Sequence, residues 1–251
     1  MAKPQIVLIP GAWHTPECYS IIIPKLEAHG YTVHTRRLPS VTDSNPPKDL
    51  SQDIAAVQDL VTKAIGSGND VVVIPHSWAG IVAGSALGGF GKKQREAKGE
   101  KGGVVRAGYM CAFMAPEGVS LVDAIQGQIP EWWSVKDEQF SVLAPSAQDI
   151  FYNDLPPAER AHWISKVSPT HSFHTKASKA TGESWKEIPT SYLICEDDLA
   201  IPVFAQEAMT KMVQDMGGDL STERFKCSHS PFLSQPDEVV GWMRRVAGEE
   251  V

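Results

Sequence analysis

Short runs of aliphatic and β-branched residues alternate with helical patterns along this chain of 251 residues. The run at residues 71–74 has no polar residue, which is typical of a strand that is buried on both faces. Residues 49–65, just before it, carry apolar residues at helical spacing. Strands that alternate with helices indicate a parallel sheet covered by helices, so the sequence predicts an α/β fold.

The same pattern extends over most of the chain. Further strands are predicted at residues 6–9, 31–38, 104–113, 192–195 and 224–227, and further helices at residues 79–87 and 238–246. Residues 115–187 interrupt the alternation of strands and helices, because they contain four tryptophans, many prolines and no clear strand. We interpret this segment as an inserted, helical cap on a core formed by residues 1–114 and 188–251.

Composition restricts the partners of the chain. The formal net charge is −7, whereas a nucleic-acid-binding domain would present a basic face. The one basic cluster, at residues 92–101, is interpreted as a solvated loop or helix end, with an anion- or partner-binding patch as the alternative. The N-terminal residues show neither the apolar h-region nor the small-residue cleavage site of a signal peptide, and no apolar run reaches the roughly 18 residues that span a bilayer. We expect a cytoplasmic monomer or homodimer that acts on a small molecule and binds neither nucleic acid nor membrane.

The four cysteines, Cys18, Cys111, Cys195 and Cys227, form no CxxC pair and have no metal-ligand spacing with a histidine. Buried, reduced thiols are therefore expected. The histidines and carboxylates also show no metal-binding pattern, so neither a metal nor a cofactor is predicted.

A serine lies between the strand at residues 71–74 and a helix of small residues. The segment reads PHSWA, with Ser77 at its centre. This context is typical of the nucleophile elbow of α/β-hydrolases, where a tight turn exposes the serine Oγ at the carboxyl edge of the sheet. Both glycines of the usual G-x-S-x-G are replaced, and Pro75 is the larger departure because proline lacks an N–H. An ordinary helix-capping serine is the alternative interpretation.

A serine hydroxyl needs a base, and the base needs a carboxylate that orients it. In this fold the three residues follow the chain order serine, acid, histidine. Asp198 and His229 come after the last two predicted strands, in that order. The sequence therefore predicts a triad of Ser77, His229 and Asp198. Taken singly, Asp198 could be a helix cap and His229 a loop histidine. His76 is expected to be structural. The histidines of the inserted segment are expected at the surface rather than to act as the base: His162, His171 and His174.

An acyl-transfer site also needs N–H donors for the oxyanion. The backbone amide of Trp78 is one candidate, because it follows the nucleophile. The amide of Ala12 is the other, since Gly11 lets the loop after the first strand approach closely, although that glycine could merely serve a turn. The substrate pocket is expected to include aromatic residues, with packing as the alternative role: Trp13, Trp132 and Trp133.

Three segments resemble the plant methyl-esterase and hydroxynitrile-lyase family and its microbial relatives. PGAWH at residues 10–14, with Cys18 behind it, resembles the family's H-G-A-W-H-G-x-x-C opening, with proline in place of the first histidine. DLAIP at residues 198–202 and SHSPF at residues 228–232 resemble its D-x-A-I-P and S-H-S-P-F segments. The resemblance covers residues 5–113 and 188–248. It implies an α/β-hydrolase fold, with a mostly parallel sheet flanked by helices and an inserted cap.

The resemblance also indicates which branch of that family, the lyases or the esterases, is more similar to this chain. Its lyases carry threonine at the position of Gly11 and lysine directly after the catalytic histidine, where this chain has Ser230. Both differences favour the esterase branch. A serine nucleophile, rather than aspartate, disfavours the dehalogenase and epoxide-hydrolase branches of the fold.

The expected activity is hydrolysis of a carboxylic ester through an acyl-enzyme, such as a methyl ester or lactone of a small apolar or aromatic acid. One alternative is a biosynthetic-pathway enzyme that uses the same triad for carbon–carbon cleavage, cyclisation or thioester release, because one fold hosts many chemistries. Another is a non-catalytic binding module, to which Pro75 gives some weight.

Overall fold

The computed structural model describes residues 2–251, which form two β-sheets and eleven α-helices. The strands are β1 (Gln5–Ile9), β2 (Val33–Thr35), β3 (Asp70–Pro75), β4 (Gly103–Met110), β5 (Trp133–Lys136), β6 (Phe140–Leu143), β7 (Thr170–Ser172), β8 (Thr190–Cys195) and β9 (Leu220–Phe225). The helices are α1 (Ile22–Ala28), α2 (Ser51–Ile65), α3 (Ala79–Ala86), α4 (Lys92–Ala97), α5 (Leu121–Ala124), α6 (Ala147–Phe151), α7 (Pro157–Ile164), α8 (Phe173–Ala177), α9 (Val203–Asp215), α10 (Pro231–Ser234) and α11 (Pro236–Val246).

The main sheet has six parallel strands in the order β2-β1-β3-β4-β8-β9. Strand β3 lies inside it, and its four residues at 71–74 have no exposed surface. The alternation of strands and helices arises because parallel neighbours need a crossover connection, which here contains a helix. The predicted α/β class with a parallel sheet is confirmed.

Two helix pairs pack against this sheet, α2 with α3 and α1 with α11. Helix α11 shows how the sequence directs this packing, because Val239, Trp242, Met243 and Val246 are buried and recur at intervals of three or four residues. That stripe lies against β4, where a side chain at Gly108 would come within 3.2 Å of Trp242.

The inserted segment (residues 115–187) differs from its prediction as a helical cap. It contains helices α5 to α8, but also a three-stranded antiparallel sheet in the order β5-β6-β7. The chain turns between β5 and β6 through Asp137 and Glu138, at φ 52° and 54°. Hairpin turns with positive φ usually carry asparagine or glycine. The acidic pair here lacks the glycine of that signal, and the expectation of a mostly helical segment with no clear strand is wrong on the strands.

The basic cluster begins helix α4, none of whose residues is buried. Lys92 pairs with Asp70 at 2.8 Å, and Arg95 pairs with Glu100 at 2.7 Å. These contacts favour the interpretation of a solvated helix end.

All four cysteines are free and buried, as the sequence predicts. Among residues 2–251 there is no helix that combines the length and the apolar character needed to cross a membrane.

Candidate active site

Ser77 lies in a sharp turn between β3 and α3, with φ of 56°. This left-handed backbone is uncommon for a residue with a side chain, and such strain is often found at functional sites. Both backbone groups of Ser77 are hydrogen-bonded to the chain at the end of β4. The Ser77 amide donates to Met110 O at 3.3 Å, and the Phe113 amide donates to Ser77 O at 3.0 Å. The strand-turn-helix context predicted from the sequence is present.

Pro75 ends β3 opposite Ile9 without loss of the neighbouring bonds. The His76 amide donates to Ile9 O at 3.1 Å, and the Ser77 amide donates on the other side. Pro75 itself has no backbone N–H to donate. The proline therefore removes one bond at the strand end and leaves the elbow itself tied to both neighbouring strands.

Two glycines permit the close approaches around this turn. A Cβ on Gly80 would lie 2.1 Å from Phe113 O, so any side chain there would push the start of α3 away from the chain after β4. A Cβ on Gly11 would lie 2.9 Å from the Cβ of Ser77. The second distance leaves no space for the threonine that the lyases carry at the Gly11 position.

The structure brings Ser77, His229 and Asp198 into one hydrogen-bonded chain. The Ser77 hydroxyl lies 2.8 Å from His229 Nε2, and His229 Nδ1 lies 2.7 Å from Asp198 Oδ2. Because a carboxylate can only accept, Nδ1–H donates to Asp198, which leaves the Nε2 lone pair directed at the serine. His229 and Asp198 are 1% and 3% exposed, so this contact is shielded from water.

One carboxylate oxygen of Asp198 is held by its own loop, and the other contacts the histidine. Its Oδ1 accepts the amides of Ala200 at 2.8 Å and Ile201 at 2.9 Å. Asp198 therefore caps local backbone and orients His229 at once, so the two interpretations of this residue are compatible. Gln206 on α9, which the sequence analysis missed, donates to Ile201 O at 2.7 Å and to Asp198 Oδ2 at 3.4 Å.

His76 has a structural role, as expected. It is fully buried, and its Nε2–H donates to His229 O at 2.8 Å. Burial lowers the pKa of His76 well below 6.5, with the nearby His229 and His14 acting in the same direction, so the ring is neutral at neutral pH. His76 thus holds the backbone of His229 in place.

The inserted segment also holds both loops. The Asp154 carboxylate accepts the Ser228 amide at 2.9 Å, next to His229. Asn153 Nδ2 donates to Asp197 O at 3.0 Å, next to Asp198. Two consecutive side chains after α6 therefore connect the loop of the acid with the loop of the base.

His76, Cys111 and His229 offer ligand atoms within 4.8 Å of one another. Their chemistry does not suit a metal. Both nitrogens of His229 are engaged by Ser77 and Asp198, and burial raises the pKa of the Cys111 thiol to about 12, so it stays protonated.

The two predicted oxyanion donors lie beside the elbow. Among residues 2–251, the amides of Ala12 and Trp78 have no hydrogen-bond acceptor. His14 holds the Ala12 peptide, because its Nδ1–H donates to Ala12 O at 2.9 Å while Nε2 accepts the Tyr152 hydroxyl at 2.9 Å. Burial lowers the pKa of His14 to about 4, which keeps it in the neutral form that these bonds require.

An aromatic pocket opens above Ser77, with an empty volume of about 510 Å³ including its mouth. Trp13 lies 5.8 Å from Trp132 and 6.1 Å from Trp133, measured between ring centres, and all three line the pocket. Trp13 has φ of 63°, and its indole N–H donates to Ser141 O at 3.0 Å on β6. The loop of Ala12 is thereby attached to the inserted segment.

Two further polar residues near the pocket were not predicted. Lys176 lines the pocket and is 1% exposed. His171, expected at the surface, is fully buried 2.6 Å from the lysine nitrogen, so that expectation is wrong. A histidine in the middle of a three-residue edge strand gives no local sign of burial. Of the others, His162 is exposed and His174 is half-buried.

Comparisons with known proteins identify relatives that match nearly the whole chain. The chain is 35% identical over 254 residues to the alpha/beta hydrolase nvfD of Aspergillus novofumigatus, covering 100% of this chain and 99% of that protein. It is 22% identical over 274 residues to methylesterase 1 of Arabidopsis thaliana, covering 99% and 98%. The crystal structure of a pyrethroid hydrolase from Sphingobium faniae superposes with a TM-score of 0.76 at 22% identity, covering 97% of each chain.

The family model described as the alpha/beta hydrolase family matches residues 6–242, nearly the whole chain. The resemblance drawn from three short segments is confirmed, and with it the α/β-hydrolase fold. This chain belongs to the alpha/beta hydrolase family and has methylesterases among its relatives.

Proposed function

We propose that this protein hydrolyses a carboxylic ester through a covalent acyl-enzyme. The observation that carries the proposal is the continuous chain from Ser77 through His229 to Asp198 beneath an aromatic pocket. A relative named methylesterase 1 supports the same class of reaction.

In the first half-reaction, Ser77 Oγ attacks the ester carbonyl and its proton passes to His229 Nε2. Asp198 stabilises the imidazolium that forms and keeps its Nδ1–H in place. The negative charge on the carbonyl oxygen is received by the amides of Ala12 and Trp78. Removal of one such donor typically costs about 10²–10³ in rate. His229 then returns the proton to the leaving alcohol.

In the second half-reaction, a water molecule takes the place of the alcohol. His229 Nε2 removes a proton from it, the resulting hydroxide attacks the acyl carbonyl, and Ser77 leaves with the proton returned by the histidine. The products are a carboxylic acid and an alcohol, and the enzyme is regenerated without a cofactor.

The pocket favours an apolar or aromatic acyl or alcohol group. Its wall near Ser77 is made of Trp13, Trp132 and Trp133, with Phe151 behind them. Burial of aromatic surface against these rings supplies affinity without a charged partner. A methyl ester or lactone of a small apolar or aromatic acid fits this wall, with the inserted segment as its cap.

The proposal is tested by fluorophosphonate labelling of the purified protein, followed by intact mass and peptide mapping. We expect a single adduct at Ser77, lost in Ser77→Ala and His229→Ala and retained in Ser44→Ala, which changes an exposed loop serine. Hydrolysis of activated aryl esters should be lost in the same two variants.

Each result has a different meaning. No adduct at Ser77 in the folded protein would contradict the mechanism and favour a non-catalytic binding module. An adduct without turnover of any ester would keep the activated serine and assign the triad to another reaction, such as carbon–carbon cleavage or thioester release.

A further inference from the structure

Lys176 is a buried side chain in the pocket wall that takes no part in the hydrolysis steps. Its Nζ lies 4.1 Å from the ring centre of Trp13 and 5.8 Å from the ring centres of Trp78 and Trp133. All four residues line the pocket that contains Ser77. A lysine is almost never fully buried unless it is paired, so this position needs an explanation.

No carboxylate among residues 2–251 pairs with this lysine within 4.0 Å. Asp53 interacts electrostatically with Lys176 without direct contact, and Asp53 is itself fully buried. Its Oδ1 accepts the Ser40 amide at 2.9 Å, while Oδ2 has no partner. Burial lowers the pKa of Lys176 far below 10.5 and raises that of Asp53 to about 6.

The contacts of His171 define the state of the lysine. His171 Nδ1 lies 2.9 Å from Ser172 O and 2.6 Å from Lys176 Nζ. A carbonyl oxygen only accepts, so Nδ1 carries its hydrogen and presents it to both atoms. An ammonium has no lone pair for that hydrogen, whereas a neutral amine has one. The geometry therefore agrees with a neutral amine whose two N–H groups have no protein acceptor among the described residues.

We propose that Lys176 binds an acceptor oxygen of the substrate at a position remote from the scissile ester. The protein then prefers esters whose acyl or alcohol part carries a second oxygen function, either a keto or hydroxyl oxygen or a carboxylate. This inference rests on the proposed ester hydrolysis for the place of the scissile bond. A purely hydrocarbon substrate would leave the buried N–H groups unpaired, which is unfavourable in an apolar pocket.

The test measures binding to the Ser77→Ala variant, in which turnover does not interfere. Three methyl esters of matched length serve as probes: one of an aryl-alkanoic acid, one of its keto derivative, and the half-ester of the corresponding dicarboxylic acid. We expect at least one oxygenated probe to bind roughly tenfold or more tightly than the hydrocarbon probe, as measured by calorimetry. The keto and carboxylate probes distinguish a neutral from an anionic acceptor.

The lysine is then replaced in the same background. Lys176→Met keeps the length and removes the donors, and it should abolish the preference for the oxygenated probe, measured as the ratio of its affinity to that of the hydrocarbon probe. Lys179→Met changes an exposed lysine three residues away and should retain the preference.

Equal affinities for the three probes in Ser77→Ala would overturn the inference, even where the Lys176 variant fails to fold. Retention of the preference in folded Lys176→Met would overturn it as well, and would make this lysine a packing residue. These results do not depend on labelling of Ser77, so failure of the subsite and failure of ester hydrolysis are distinguishable.

Discussion

Replacement of Asp198 by asparagine tests the triad through the direction of a single amide group. In the protein, Oδ1 of Asp198 accepts two backbone amides, and Oδ2 accepts His229 Nδ1 at 2.7 Å. An asparagine has one oxygen and one NH₂ group, so it satisfies only one of the two sides. If NH₂ faced the amides of Ala200 and Ile201, both would be left unpaired, at a cost of about 1–3 kcal/mol each.

The oxygen of Asn therefore stays with the two amides, and NH₂ faces His229. His229 Nδ1 must then accept, so the ring proton moves to Nε2, which lies 2.8 Å from Ser77 Oγ. A nitrogen that carries a proton cannot remove one from the serine. We expect Asp198→Asn to lower the rate of fluorophosphonate labelling, and of ester hydrolysis, by roughly 10⁴-fold. This corresponds to an activation free energy that is higher by about 5 kcal/mol.

The matched control is Asp197→Asn, which removes an exposed carboxylate from the same loop and should label at the wild-type rate. Thermal unfolding of both variants verifies that the fold is retained. Labelling of folded Asp198→Asn within tenfold of the wild-type rate would refute the reasoning, because the base would then work without its orienting carboxylate.

Two further predictions concern the elbow and its support. Gly80→Ala brings a Cβ to 2.1 Å from Phe113 O, so we expect a loss of about 1–3 kcal/mol of stability by urea titration, whereas Gly88→Ala, with open space around it, should be neutral. His76 has a pKa well below 6.5 when folded, so unfolding takes up a proton and stability falls as pH drops below 6.5. His76→Gln should reduce that slope by roughly 1.4 kcal/mol per pH unit, and an unchanged slope would assign the proton uptake to other groups.

The main sheet and the hydrogen-bonded chain of Ser77, His229 and Asp198 could be predicted because both leave local signals. A strand buried on both faces reads as a continuous apolar run, which marks residues 71–74. Ser77, Asp198 and His229 each follow a strand, and the carboxyl ends of parallel strands meet at one edge of the sheet. Their order along the chain was then enough to place them together.

The parts that were missed depend on how loops and the inserted segment fold against helices. Gln206 and Lys176 lie on helices, where polar residues usually face solvent. Gln206 is buried by the loop of Asp198, and Lys176 by the tryptophans of two other segments. No spacing rule marks either residue, since Gln206 is enclosed only when the loop of Asp198 folds against α9, and Lys176 only when the inserted segment meets the core.

The inserted segment contributes residues to the pocket wall and also contacts the loops of Asp198 and His229. Trp132, Trp133 and Lys176 line the pocket, whereas Asn153 and Asp154 bind the loops of the acid and the base. All five belong to one stretch of chain between β4 and β8. A displacement of that stretch would therefore change both which substrate fits and whether His229 meets Ser77. A change of substrate preference that keeps the triad intact must alter the lining residues and leave the contacts of Asn153 and Asp154 in place.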